Sequence, residues 1–230
     1  MDGERFEDVE AYGVERWIGE LAETLRKKMY QPQAVKRVYI PKPGGKMRPL
    51  GIPTLRDRVV QTATMMVIEP IFEADLQPEQ YAYRAGRNAL TAVREVHSLL
   101  KTGHKQVVDT DLSSYFDTIP HAELMKSVAR RIVDRHLLHL IKMWLDAPVE
   151  EGDGRGNTQR TTVNRDQGRG TPQGAPISPL LSVCTCDGLF WDGSNADTKS
   201  ASGRESSVMP MISSFAVGGR RNKPWPPCRI

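Results

Sequence analysis

Cysteine is scarce in this 230-residue chain, and the three present, Cys184, Cys186 and Cys228, all fall within the last 47 residues. An odd count without regular spacing excludes a disulfide framework, and Cys-x-Cys with five histidines elsewhere is not a zinc pattern. Long apolar runs are absent too, and none approaches the ~18–20 residues of a membrane span. The acidic start Met1-Asp2-Gly3-Glu4 is no signal peptide. A cytoplasmic protein with no membrane partner is therefore the default expectation. Strong charge of one sign is also missing, since the net charge is only +4. Hydrophobic residues at 39% and charged residues at 26% exclude collagen-like, coiled-coil and wholly disordered classes. The length suits one or two domains of about 100–200 residues each.

Charge distribution says more than its sum. Between Val35 and Arg58 lie seven basic residues, Lys36, Arg37, Lys42, Lys46, Arg48, Arg56 and Arg58, against the single acid Asp57. Such a cluster is either a phosphate-binding surface or a solvated basic hairpin.

Val14, Trp17, Ile18, Leu21 and Leu25 recur at helical spacing and predict an amphipathic helix near residues 13–29. Lys36–Pro41 and Met47–Ile52 read as strands separated by the turn signal Pro43-Gly44-Gly45. A long helix is expected from Thr54 to about Ala74, and another from an Asn88 cap to Leu100. Between them runs an aromatic and basic loop, Tyr81-Ala82-Tyr83-Arg84-Ala85-Gly86-Arg87. Gln106–Asp111 looks like a buried strand. Helices near 121–132 and 134–146 follow Pro120, a residue suited to a first helical turn. Residues 150–170, rich in Gly, Arg and Thr, predict a loop or loose hairpin. After Ser182 no period of 2 or 3.6 survives, and no element is assigned.

In a strand, Asp109 and Asp111 share one face, so two carboxylates converge where the strand ends. Hard cations such as Mg²⁺ take oxygen ligands of this kind, although acids at a strand end also cap or face solvent. Further along come Phe116-Asp117-Thr118-Ile119-Pro120-His121 and the turn Thr171-Pro172-Gln173-Gly174-Ala175-Pro176. Basic hairpin, Tyr-Ala-Tyr-Arg loop, acidic strand, Phe-Asp block and Pro-Gln-Gly turn, in this order, strongly resemble the reverse transcriptases encoded by group II introns, from about Val14 to Leu181.

The resemblance implies an α/β (α+β) fold: the fingers and partial palm of a right-hand polymerase, with an antiparallel palm sheet and packed helices. Residues 1–30 would be a helical extension, 31–104 a fingers-like region, 105–182 a partial palm and 183–230 an irregular tail. It implies that Asp111 is the catalytic, metal-binding aspartate, with the Leu112 carbonyl as a further ligand. Lys42, Lys46 and Arg48 would hold the incoming triphosphate. Phe116 would be the steric gate against a ribose 2′-hydroxyl, and Gln173 would lie against the nascent pair. Arg84 and Arg87 either touch template backbone or brace the fingers. Asp109 and Asp117 read as structural or water-linked, His121 as a capping or packing residue, and Trp17, Tyr115 and Trp144 as core. The implied activity is nucleotidyl transfer from a dNTP to a DNA primer on an intron RNA template, with two Mg²⁺ ions.

The family's second acidic motif, Tyr-Ala-Asp-Asp, does not occur in these residues. Back-translating Val208-Met209-Pro210-Met211-Ile212-Ser213-Ser214 and regrouping the bases one nucleotide late gives NAT GCC NAT GAT HTC NTC, compatible with Tyr-Ala-Asp-Asp-Phe-Val. The alanine and the second aspartate are forced by the code. The expectation is a one-nucleotide deletion, or an equivalent two-base insertion, near the Ser182 codon. These residues alone should then be catalytically incomplete, and the competing reading is a non-catalytic fragment that binds intron RNA.

Overall fold

A computed structural model describes residues 4–42, 44–104, 114–152 and 157–193, the last eight by backbone only. The chain divides into two compact units; the described part of one comprises residues before 76 and from 114 onward, and that of the other is 76–104.

The first unit opens with α1 (Phe6–Tyr12) and α2 (Val14–Arg26). Helical spacing anticipates α2 but not its environment. Only Leu21 of its apolar stripe is buried, while Val14 and Ile18 are about half exposed. Two strands follow, β1 (Val35–Pro41) and β2 (Met47–Ile52), antiparallel from Lys36 opposite Ile52 to Pro41 opposite Met47. Helix α3 (Leu55–Glu73) starts at Thr54, whose hydroxyl accepts the Asp57 N–H at 3.3 Å. Its buried residues Asp57, Val60, Gln61, Thr64, Ile68 and Phe72 fall on one face at helical spacing, and Leu55 is buried at its first turn.

Beyond the second unit the chain resumes with the short α5 (Tyr115–Thr118), then α6 (His121–Ala129) and α7 (Arg135–Leu145), in chain order after α4 (Ala89–Lys101) of the other unit. Asp134 caps α7, accepting the N–H groups of His136 and Leu137, and these bonds hold its carboxyl below the usual range. Of the loop or loose hairpin expected at 150–170, the structure shows the hairpin, β3 (Val149–Gly152) and β4 (Thr158–Thr161), followed by the turn-length α8 (Val163–Gln167). Helix α9 (Ser178–Gly193) runs through Ser182 and beyond it, where no element is expected from periodicity. Val183, Cys184 and Thr185 are buried there, so packing sustains a helix whose sequence carries no clean stripe.

The sheet order is β2-β1-β3-β4, with β1 and β3 parallel. The described sheet is thus mixed: the β1–β2 and β3–β4 pairs are antiparallel, in part as expected, and the β1–β3 pair is parallel. The physical reason is connectivity: helices intervene between β1 and β3, giving the long crossover that parallel pairing requires. The acidic strand expected at 106–111 lies outside the described residues. Ile68, Leu124, Val128, Ile141, Leu145, Ile177 and Leu181 form the buried centre, where α9 packs on α6 and α3.

A polar network crosses this core. Asp57, 2% exposed, accepts from the Tyr30 hydroxyl at 2.6 Å, the Thr54 hydroxyl at 2.7 Å and the Gln33 N–H at 3.0 Å. The Trp144 indole donates to the Tyr30 oxygen at 2.9 Å. Three donors on one buried carboxylate satisfy it as burial demands. Burial first, and then the bond to Asp57, raise the Tyr30 phenol well above its ordinary range.

Within the second unit, α4 is closed by a reciprocal cap: the Asn88 side chain accepts the Thr91 N–H at 2.9 Å and the Thr91 hydroxyl accepts the Asn88 N–H at 3.1 Å.

Candidate nucleotide site

The segment from Arg169 to Ser178 is a strap tied to both sides of the first unit. On one side the Gly170 N–H donates to the Ile119 carbonyl at 2.8 Å, and the Thr171 N–H donates to the Phe116 carbonyl at 2.7 Å. On the other side the Gly51 N–H in β2 donates to the Gln173 carbonyl at 2.7 Å. The Thr171 and Ser178 hydroxyls are 2.7 Å apart and buried, bracing the turn from below. Phe116, Gln173 and β2 are therefore joined by backbone bonds, which side-chain substitution at Phe116 or Gln173 leaves in place.

Glycine is required at this junction. A Cβ on Gly51 would stand 2.7 Å from Pro172 Cβ and 2.8 Å from Val35 Cγ1, both too close to tolerate. Gly174 has φ +112°, and a Cβ there would meet the Gly51 carbonyl oxygen at 3.1 Å. An isolated glycine inside a strand pattern signals a close backbone approach, and Gly51 is that signal.

His121 anchors the strap as well. Its Nε2–H donates to the Gly170 carbonyl at 2.7 Å, its backbone N–H donates to Gly168, and its Nδ1 lies 3.8 Å from an Asp146 carboxylate oxygen. Sequence reasoning assigns His121 to capping or packing; what it packs is the strap that carries Gln173.

The cations occupy a different part of the same hairpin. Lys42 and Lys46 are exposed at its tip, where the Lys42 N–H donates to the Lys46 carbonyl at 2.7 Å. Lys46 is five residues along the strand direction from Gly51, about 17 Å at ~3.3 Å per residue. Arg48 is half-buried opposite Ile40, and by alternation it lies on the strand face away from the Gly51–Pro172 contact. The structure thus ties the Gln173 turn to the strand that carries Arg48, with Arg48 on the face away from Pro172. Arg37 and Arg48 each bury Nε without a hydrogen-bond partner among the described residues. On the neighbouring strand Glu151 holds the Tyr39 phenol above its ordinary range through a hydrogen bond.

Phe116 is half-buried, edge-on to Tyr115 with ring centres 6.1 Å apart. The buried Tyr115 is fixed by its hydroxyl donating to the Ser182 carbonyl at 2.8 Å. Asp117 is exposed. Asp109, Asp111 and Leu112 lie outside the described residues. Among the described residues no group of three or more His, Cys, Asp or Glu could hold a metal ion. In the second unit Arg84 donates to the carbonyls of Gln77 at 2.7 Å and Gln80 at 3.2 Å, which makes it a brace of its own loop. The Arg87 guanidinium lies 5.0 Å from the centre of the Tyr81 ring. No helix among the described residues is long and apolar enough to cross a membrane.

The Escherichia coli (strain K12) protein YkfC is 44% identical over 158 residues, 66% of this chain and 39% of that protein. The group II intron-encoded protein LtrA of Lactococcus lactis subsp. cremoris is 32% identical over 169 residues, 73% of this chain and 26% of LtrA. The mitochondrial nuclear intron maturase 2 of Arabidopsis thaliana is 31% identical over 110 residues, 48% of this chain and 15% of that protein. The chain thus matches well under half the length of each of these relatives. Residues 40–197, which hold the hairpin tip, β2, Phe116 and the strap, match the family model described as reverse transcriptase (RNA-dependent DNA polymerase), and the chain belongs to that family.

Proposed function

We propose that these residues are the fingers and partial palm of a group II intron reverse transcriptase, and that they bind RNA in a salt-dependent manner without polymerising by themselves. The observation that carries this reading is the strap, bonded at once to the Phe116 carbonyl and to Gly51 of the basic hairpin. A turn held from both sides suits a residue that must lie flat against a nascent base pair, as the proposal has Gln173 do. Phe116, gripped through its backbone and packed against Tyr115, would keep its ring where a 2′-hydroxyl has to pass. The buried Nε of Arg48, with no acceptor among the described residues, favours an anionic ligand. Lys42 and Lys46 on the exposed tip would supply point charge to a triphosphate or a phosphate backbone.

In the complete reaction a primer 3′-oxygen attacks the α-phosphorus of a dNTP and pyrophosphate leaves. Mg²⁺ supplies such a transfer with charge stabilisation of the attacking and leaving oxygens. Asp111 and the Leu112 carbonyl are the proposed ligands here. A two-metal site needs more carboxylates than Asp111 alone, and Tyr-Ala-Asp-Asp is not in the sequence. The proposed shift of frame near Ser182 accounts for that.

The test is made on the purified chain with a primed RNA template, dNTPs and Mg²⁺. No nucleotide incorporation is expected, together with RNA affinity that falls steeply with salt and falls further in Arg48→Ala. Synthesis of full-length cDNA overturns the proposed inactivity. A chain with no affinity for RNA overturns the alternative, a non-catalytic RNA-binding fragment, as well.

A further inference from the structure

The second unit contains a strained aromatic loop that the nucleotide site does not use. Tyr83 has φ of 57°, in the left-handed region that a tyrosine adopts only where its surroundings hold it there. Those surroundings are explicit. The Arg84 guanidinium closes the loop from within through the Gln77 and Gln80 carbonyls, and the Gln80 N–H donates to Gln77 at 3.1 Å. The Arg87 N–H donates to the Arg84 carbonyl at 3.2 Å. Held in this way, Tyr83 is displayed outward with 42% of its surface exposed. Two residues before it, Tyr81 carries the Arg87 guanidinium over its ring.

Strain that displays an aromatic ring instead of burying it suits contact with a ligand. Between Gln77 and Asn88 the loop carries Arg84 and Arg87 against the single acid Glu79, and from Gln80 to Asn88 around Tyr83 there is no acid, so the complementary ligand is anionic. Flat aromatic rings beside arginines are the elements with which proteins hold unpaired bases and their phosphates. We infer that Tyr83 is a base-stacking residue for single-stranded RNA, with Arg87, oriented by Tyr81, contacting the adjoining phosphate. Arg84 is the internal brace that sets the Tyr83 backbone. The inference rests on the RNA-binding reading and adds a residue and a contact type to it.

The probe is a fluorescein-labelled oligoadenylate about 15 nucleotides long, compared with an oligomer of equal length and charge whose sugars carry no bases. Anisotropy titrations use the full chain at fixed ionic strength. Tyr83→Ala should weaken oligoadenylate binding about tenfold while leaving the base-free oligomer unchanged. Tyr83→Phe should retain the parent affinity. Tyr83→Gly, for which the left-handed backbone is unstrained, should unfold at the parent temperature or above it and still lose affinity as the alanine variant does. Equal affinity of the parent, Ala and Gly variants for oligoadenylate overturns the inference alone, as does an equal loss on both oligomers. Failure of the parent chain to bind either oligomer overturns the RNA-binding reading and this inference with it.

Discussion

Gln173 and the hairpin lysines are proposed to serve one ligand, yet they are held in opposite ways. The Gln173 turn is fixed by backbone bonds to Phe116, Ile119 and Gly51, and the buried Thr171 and Ser178 hydroxyls lie beneath it. Its floor also includes Asp57 and Trp144, which line a small cavity with Thr171 and Pro172. Lys42 and Lys46 sit on an exposed turn closed by the Lys42–Lys46 and Gly45–Lys42 backbone bonds. The difference suits the chemistry proposed for each. A residue that reads base-pair geometry needs a fixed position, whereas a cation that neutralises phosphate acts over several ångströms and tolerates motion.

Substitutions at the two places should separate these roles. The largest effect is expected for Gly51→Ala, because both atoms its Cβ meets belong to the turn or to β1. A stability loss of about 3 kcal/mol in urea denaturation is expected, since overpacking forces the backbone to move. A loss below about 0.5 kcal/mol would show that the strap is not clamped at Gly51.

The floor of the turn should respond to alkali. The folded Tyr30 phenol titrates above its unfolded value near 10, so its contribution is complete below about pH 10 and is lost as pH rises further. Urea midpoints should be flat from about pH 8 to 9.5 and then fall, and Tyr30→Phe should shrink that fall. An unchanged alkaline slope in Tyr30→Phe would remove Tyr30 as its origin.

The smallest effect belongs to the tip. Lys46→Ala should change stability by less than about 0.5 kcal/mol, yet lower the slope of log affinity against log salt for RNA by about 1. A destabilised Lys46→Ala chain would place the tip in the folded framework and end the contrast.

Local signals in the sequence are read correctly wherever a local cause suffices. Pro43-Gly44-Gly45 marks the hairpin, Asn88 marks the start of α4, and Pro120 stands immediately before α6. The short α1, α5 and α8, of seven, four and five residues, carry too few turns for a period to register. The α2 stripe shows the opposite case: helical spacing is present, yet only Leu21 of the stripe is buried. Order and type of the blocks also suffice to name the family, because the residues that carry chemistry are contiguous within each block. What no block reveals is which block touches which. The Gly51–Gln173 bond joins residues 122 positions apart, and the His121–Gly170 bond joins residues 49 apart.

The sequence by itself determined the hairpin, the caps, the order of the blocks and hence the family, since propensity, turn chemistry and motif composition act over a few residues. Only the tertiary structure decided that β1 pairs with β3 in parallel, that α9 continues past Ser182, and that Gln173 is clamped to Gly51 while Arg48 lies on the other face of the same strand. Those outcomes depend on burial and on backbone bonds between distant segments, which close only when the core has formed.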